Sequence, residues 1–466
     1  MKVLLAASEV APVIKIGGLG DVIGALPKAL EKISVNEDVI VPFFPFAKIQ
    51  NLDIYKSIDL HVPYANRDNL VEVFKAKLPN SNVDLYLLKN SDYFLEGGSN
   101  FFANSIAETE MFAFFNRAVV EYVKSALNTY DIVHCNDWHT GLITHLLEDE
   151  LGAERPRTLF TIHNLNYQGV GNQFLLKNTG IVPGEHPLID WDLADGDLNM
   201  MQQGITSSDY LNTVSPSYAK EILTKEFGAG LEDILKTREG RLSGILNGLD
   251  YENYPVPYTK EDYEEGKRIA KRNLLHRLKI DEKFSDLPII SFIGRIDAFQ
   301  KGLDILYDSL PEIVNKGVVF VLLGTGDKRW EEKLRKLSQD KTVADKFSCN
   351  LTFDLELAEM MYAGSDYLLV PSKYEPCGLI QMIAMRYGTL PIVHGVGGLK
   401  DTVEHNKNGF VFNRYSSAAL ASCVSEALSV HGTAEMGAMI EDAMKRDFSW
   451  EKSALEYKKL YERILS

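Results

Sequence analysis

Residues 288–306, PIISFIGRIDAFQKGLDIL, decide the fold. PIISFI is a short unbroken apolar run, the pattern of a strand buried on both faces, and Arg295 and Lys301 fall on the loop and helix start that follow it. The same alternation of apolar run and amphipathic segment extends in both directions. KVLLAAS (2–8), DLYLLK (84–89), DIVHC (131–135), RTLFTIH (157–163) and DYLNTV (209–214) read as strands of a first half. PIISFIGR, GVVFVLLG (317–324), DYLLVP (366–371) and TLPIVH (389–394) read as strands of a second. Such alternation marks βαβ units wound around parallel sheets, an α/β fold. A chain of 466 residues exceeds what one hydrophobic core usually serves, so two doubly wound domains are expected. The polar run VPYTKEDYEEGKRIAKRN (256–273) puts their boundary near residues 245–285. The assignment is 1–245 for the first domain, 246–445 for the second, and 446–466 for a C-terminal helix packing back on the first.

A formal net charge of -16 disfavours nucleic acid and anionic membranes as partners, so an anionic substrate must be met by a few local cations. Cys135, Cys349, Cys377 and Cys423 lie far apart, which suits a reducing compartment, and a cytoplasmic location is expected. Glu9 interrupts the opening apolar stretch, so a first strand is expected there rather than a signal peptide. No apolar run approaches the ~20 residues needed to cross a bilayer.

Parallel sheets of this kind bind ligands at the carboxyl ends of their strands. After the first strand, Gly17, Gly18 and Gly20 sit at a turn into a helix expected to begin near Gly20 or Asp21, with Pro27 as an early kink. Glycine there lets backbone N–H groups approach a phosphate, with Lys15 as a full cation beside them; a plain tight turn is the alternative. The run is neither G-x-G-x-x-G nor a Walker sequence, so dinucleotide or ATP use is not supported. In the second half, Arg295 and Lys301 either are solvated surface charges or clamp a diphosphate. At ~4 Å and an effective dielectric of 20, each such contact is worth about 4 kcal/mol. In DYLLVPSKYEPCGLIQMIAM (366–385), a helix is expected to begin near Pro376 with Glu375 at its start. Glu375 is there either a dipole-stabilising cap or an acceptor for sugar hydroxyls, with the Cys377, Gly378 and Leu379 amides facing a nucleotide diphosphate.

Taken in order, SEVAPVIKIGGLGDV (8–22), HCNDWHTGL (134–142), TIHNLNYQG (161–169), NTVSPSYAKEI (212–222), GILNGLDY (244–251), FIGRIDAFQKG (292–302), LLGTGD (322–327), SKYEPCGLIQMIAMRYGTLPIV (372–393) and GGLKDTV (397–403) resemble the glycogen and starch synthases. These are retaining nucleotide-sugar glucosyltransferases of GT-B architecture, in which two Rossmann-like domains face a central cleft. The resemblance implies glucose transfer from ADP-glucose, or UDP-glucose, to the non-reducing end of an α-1,4-glucan such as glycogen or a maltooligosaccharide. By it, Lys15, Gly17 and Gly18 contact the donor, Arg295 and Lys301 hold the departing diphosphate, and Glu375 binds sugar hydroxyls. His163 and Asn164 match a His-Asn pair near the transferred glucose. Asp137 and His139 match its sugar-side wall, where Glu9 and Asp21 are also assigned, and Asn247 matches a hinge asparagine facing the glucose. His134 is expected to pack in the sheet instead. The pattern implies no metal and no cofactor, protein cations taking the place of a divalent ion.

The chain departs from the family pattern at Ile16, Ile380 and Val396, each where a threonine is usual, and by one extra residue between Arg295 and Lys301. NYPVP (253–257) replaces a tryptophan-containing stretch. These departures motivate two other readings: a GT-B relative with another donor or acceptor, and a glucan or nucleotide-sugar binding protein without turnover.

Overall fold

In the computed structural model, which describes residues 1–94, 106–182, 184, 187–259 and 262–466, the chain separates into two units. One comprises Met1–Gly248 with Trp450–Ser466, the other Leu249–Ser449. The strands of the first unit are β1 (Lys2–Ala6), β2 (Asn36–Pro42), β3 (Tyr55–Tyr64), β4 (Arg67–Lys77), β5 (Asp84–Lys89), β6 (Ile132–Asn136), β7 (Arg157–Ile162), β8 (Val170–Gly171), β9 (Leu198–Asn199), β10 (Tyr210–Thr213) and β11 (Leu242–Gly244). Those of the second are β12 (Ile289–Ile293), β13 (Val319–Leu323), β14 (Phe347–Asn350), β15 (Tyr367–Val370), β16 (Leu390–His394) and β17 (Phe410–Phe412).

Among the described residues, nine strands of the first unit form one sheet in the order β11-β10-β7-β6-β1-β2-β5-β4-β3. Its centre is parallel and buried: Val3, Leu4 and Leu5 have no exposure, and Leu5 lies opposite Val39 on one side and His134 on the other. The antiparallel edge, β3 with β4 and β4 with β5, is absent from the sequence reading. Its turn is Ala65-Asn66, both at positive φ (54° and 58°), the geometry that matches the twist of a two-residue hairpin.

The second unit has six parallel strands in the order β14-β13-β12-β15-β16-β17. Numbered within the unit this is 3-2-1-4-5-6, so the order reverses between β12 and β15. In the first unit the corresponding reversal lies between β1 and β6. The polar run taken for a boundary is, beyond residues 260 and 261, which lie outside the described residues, a helix, Tyr263–Arg277. Its Leu274 and Leu275 join a core with Ile289, Val319 and Val321, so charged residues on its outer face concealed an amphipathic element.

Two expectations about the first helix need correction. It spans Gly18–Lys32, so it starts at the glycines themselves, and Pro27 lies well inside it rather than at an early kink. No helix among the described residues is long and apolar enough to cross a membrane.

The helix Trp450–Leu465 belongs to the first unit and buries Trp450, Ala454, Tyr457, Tyr461 and Ile464, a spacing of three and four that makes one apolar face. A polar chain runs through that face. Tyr461 donates to Glu37 Oε1 (2.7 Å), His134 Nδ1 lies 2.8 Å from the same hydroxyl, and His134 Nε2 lies 2.7 Å from Thr161 Oγ1. His134 therefore packs in the sheet, neutral because burial pushes its pKa down to about 3. Burial pushes Glu37 the other way, from 4.5 to about 8.

Below 4.5 Glu37 is protonated whether the chain is folded or not. Between 4.5 and about 8 only the folded chain keeps the proton, so stability falls as pH rises through that window. Urea midpoints at pH 5 and pH 8 should differ less in Glu37→Gln than in the wild type. Tyr461→Phe should cost about 1–3 kcal/mol at either pH, since it leaves the buried Glu37 Oε1 and His134 Nδ1 without this partner. An unchanged midpoint in Tyr461→Phe would contradict the network.

Candidate functional site

The loops after β12 and β15 flank the reversal in the second sheet and carry Arg295, Lys301 and Glu375. Gly302, at φ 67°, permits their close approach: a Cβ there would lie 2.0 Å from the Pro371 carbonyl oxygen. Lys301 Nζ donates to Glu375 Oε2 at 2.8 Å, and Ser372 Oγ donates to the same oxygen at 2.8 Å. Side-chain exposures of 19% and 10% remove Lys301 and Glu375 from the class of solvated surface charges. Arg295 is more open, at 46%, with Nη2 3.1 Å from Gln300 Oε1 and 3.3 Å from Asp297 Oδ2.

The helix expected near Pro376 begins at Ile380 and spans Ile380–Arg386. Gly378 takes φ 73°, which breaks the helical path before it. Gln381 Nε2, 2.8 Å from the Gly378 carbonyl and 3.2 Å from that of Cys377, holds the bend. Glu375 is thus not at a helix start; it is positioned by Lys301, Ser372 and its own carbonyl, which accepts from Gly398 N at 3.1 Å. Cys377 is buried, and the Cβ position of Gly398 lies 2.1 Å from its carbonyl oxygen, so only glycine fits there. Leu379 is the residue before the helix and supplies no side-chain cap. Val396 likewise precedes the helix Gly397–Thr402 without a capping hydroxyl.

In the first unit the glycine turn after β1 is organised by Glu9. Its Oε2 accepts from Ile16 N (2.5 Å) and Gly17 N (2.8 Å), and burial raises its pKa against those two bonds. The Gly17 amide is therefore bonded to a carboxylate in this structure. A Cβ at Gly18 would meet nothing within 4 Å, so the space above that residue is clear. Lys15 Nζ pairs with Asp21 at 2.7 Å, both well exposed.

After β6, Asp137 adopts φ 57°, unusual for a residue with a side chain, and its Oδ1 accepts from His163 N (2.7 Å) and Asn164 N (3.4 Å). Burial lifts its pKa to about 7. Asn164 turns its own Oδ1 to Asn166 N at 3.1 Å. His163 Nε2 lies 2.9 Å from Asn136 Oδ1, while Asn136 Nδ2 donates to the Ala6 and His134 carbonyls, both at 3.2 Å. Those two bonds fix the amide orientation, so Nε2 of His163 carries the proton and Nδ1 is left as an acceptor. His139 is placed differently: its ring stacks on Trp138 (4.1 Å) and stands edge-on to Phe112 (4.6 Å). Asn247 is buried near the end of the first unit, and its Oδ1 has no hydrogen-bond partner among the described residues.

Each unit therefore gathers its own cluster: Lys15, Gly17, Glu9 and Asp21, then Asp137, His163 and Asn164, in the first; Arg295, Lys301 and Glu375 in the second. Sequence reading missed Asn136, Asp297, Ser372 and Gln381, which hold these groups in place. Only their closeness in the chain to singled-out residues could have pointed to them. Among the described residues, no group of three or more His, Cys, Asp or Glu could hold a metal ion.

Residues 2–237 match the family described as starch synthase catalytic domain, and residues 287–429 match glycosyl transferases group 1. A glycogen synthase from Thermosipho africanus is 39% identical, with 100% of this chain and 99% of that protein covered. One from Lactococcus lactis subsp. lactis is also 39% identical, with both covered completely. Among solved structures, the catalytic domain of starch synthase IV from Arabidopsis thaliana, bound to ADP and acarbose, matches with a TM-score of 0.87 and 28% identity over 100% of this chain and 99% of that one. Sucrose-phosphate synthase from Thermosynechococcus elongatus, at 20% identity and a TM-score of 0.64 over 99% and 98%, shares the fold.

Burial pushes His163 and His139 down to about 3, so both imidazoles should stay neutral across the physiological range. Ring carbon shifts followed by NMR from pH 8 to pH 5 should show neither one titrating. A midpoint near 6.5 for His163 would contradict the partly buried, hydrogen-bonded geometry.

Proposed function

Because the chain belongs to the glycogen and starch synthase family of glycosyltransferases, we propose that it transfers glucose, with retention, from ADP-glucose to the non-reducing end of an α-1,4-glucan, with UDP-glucose the alternative donor. The observation that carries this reading is the Lys301–Glu375 pair beside Arg295 at the strand-order reversal of the second unit. An ion pair with little solvent access supplies a cation for a phosphate and a carboxylate for sugar hydroxyls in one place. The ADP and acarbose bound to the Arabidopsis enzyme support a nucleoside diphosphate and a glucan-like sugar as the ligand classes.

In the proposed reaction the bond between the anomeric carbon and the diphosphate oxygen breaks, and the acceptor's 4-hydroxyl oxygen bonds to that carbon on the same face. The departing phosphate takes the hydroxyl proton. Charge grows on the diphosphate as it leaves, and Lys301 and Arg295 stabilise that charge more than they stabilise the bound donor. They do so as protein cations, with no divalent ion in the scheme. In the first unit, neutral His163 offers Nδ1 to a sugar hydroxyl, and the buried Asn247 Oδ1 awaits a donor of the same kind. Exclusion of water protects the activated donor from hydrolysis. Four free cysteines suit a reducing compartment such as the cytoplasm.

Purified protein supplied with glycogen and ADP-glucose should release ADP, and a panel with UDP-glucose and other nucleotide sugars identifies the preferred donor. No release from any of them would remove the transferase reading. Lys301→Ala should lower kcat about a hundredfold or more while glucan binding changes little; equal turnover would take that lysine out of the mechanism.

A further inference from the structure

We propose that Asp297 is a positioning residue for the nucleoside diphosphate: its carboxylate holds Arg295 in the place of a phosphate and yields it when the donor binds. The proposal rests on the donor site described above and adds a residue to it. The two carboxylate oxygens have separate tasks. Oδ1 accepts from Phe299 N (2.8 Å) and Gln300 N (3.1 Å), which closes a side-chain turn across the loop. Oδ2 faces Arg295 Nη2 at 3.3 Å. The main chain of the same residue reaches the second cation, since Lys301 N donates to the Asp297 carbonyl oxygen at 3.2 Å. One residue thus sets the loop geometry of both groups assigned to the diphosphate.

The pair is built to exchange. The N–O approach of the pair is long, at 3.3 Å, and the side chains are 46% and 26% exposed, so solvent screens the attraction to a small net value. Arginine gains more from a phosphate, whose oxygens accept two parallel N–H groups, than from one oxygen of a carboxylate at 3.3 Å. Lys301 differs, because its partner Glu375 lies at 2.8 Å and both are largely shielded. Arg295 is therefore the cation that changes partner at the lower cost, kept meanwhile near its working position by Gln300 Oε1 at 3.1 Å. The Asp297 charge opposes the incoming diphosphate, and the Asp297 turn prepares its site; the two effects are separable because asparagine keeps Oδ1 and discards the charge.

The test is isothermal titration calorimetry with ADP, and with UDP in parallel, on the wild type, Asp297→Asn, Asp297→Ala and Arg295→Ala, each checked for an unchanged melting temperature. Asp297→Asn should bind the nucleotide about twofold to fivefold more tightly than the wild type. The donor KM should fall by a similar factor while kcat does not rise, since the product diphosphate is held more firmly too. Asp297→Ala, which also loses the turn, should bind more weakly than Asp297→Asn. A purely structural role would weaken binding in both, so equal or weaker binding in Asp297→Asn overturns the proposal. Unchanged affinity in Arg295→Ala would instead remove the donor reading on which it rests.

Discussion

A parallel sheet whose strand order reverses leaves two adjacent strands whose connecting segments depart to opposite faces, and the gap between their carboxyl ends is filled by loops alone. Everything chemical in this chain follows from that constraint. In the second unit the gap lies between β12 and β15, and the loops that fill it bring Lys301 to Glu375 across a separation of more than seventy residues in sequence. In the first it lies between β1 and β6, where the glycine turn and Asp137 lie. Glycines make the loops fit: Gly302 against the Pro371 carbonyl, Gly398 against that of Cys377.

The cations of these loops share a trait. Lys15 is paired with Asp21, Arg295 with Asp297 and Lys301 with Glu375. In a chain of net charge -16, a bare cation facing solvent would be a point of unspecific attraction for any anion. Pairing each with a carboxylate lowers that attraction and leaves a geometry that a better-matched anion can take over. The degree of shielding grades the three, from the open Lys15 pair to the enclosed Lys301 pair, and so grades how readily each partner is exchanged.

Nine strands were legible because a strand buried on both faces is a continuous apolar run, as KVLLAAS and GVVFVLLG are; β2, β14 and β17 were not among them. The β3–β4 hairpin was not, since its solvent face carries polar residues at most positions and its turn, Ala65-Asn66, lacks glycine. Tyr263–Arg277 was hidden by its charge: Leu274 and Leu275 join the apolar core in its last turns, and one of its charged residues, Lys267, is itself buried. Arg295, Lys301 and Glu375 could be singled out because strand ends can be located from sequence. The tasks of Glu9, Asp297, Ser372 and Gln381 could not, because each depends on which backbone atom a short side chain meets across a bend. Gly378 shows the limit: nothing in CGLIQMIAM marks that one glycine takes a left-handed conformation and delays the helix to Ile380.

The helix Trp450–Leu465 supplies the last layer of a unit whose first strand is Lys2–Ala6. Protein synthesis delivers the helix only after the whole of the second unit, Leu249–Ser449, has been made. While the ribosome is still making the second unit, Glu37 and His134 have no Tyr461 to meet, and the apolar face that covers them has not emerged. Of the two units, the one begun first is therefore the one completed last, and the nascent chain carries an unfinished surface until the helix Trp450–Leu465 has been made.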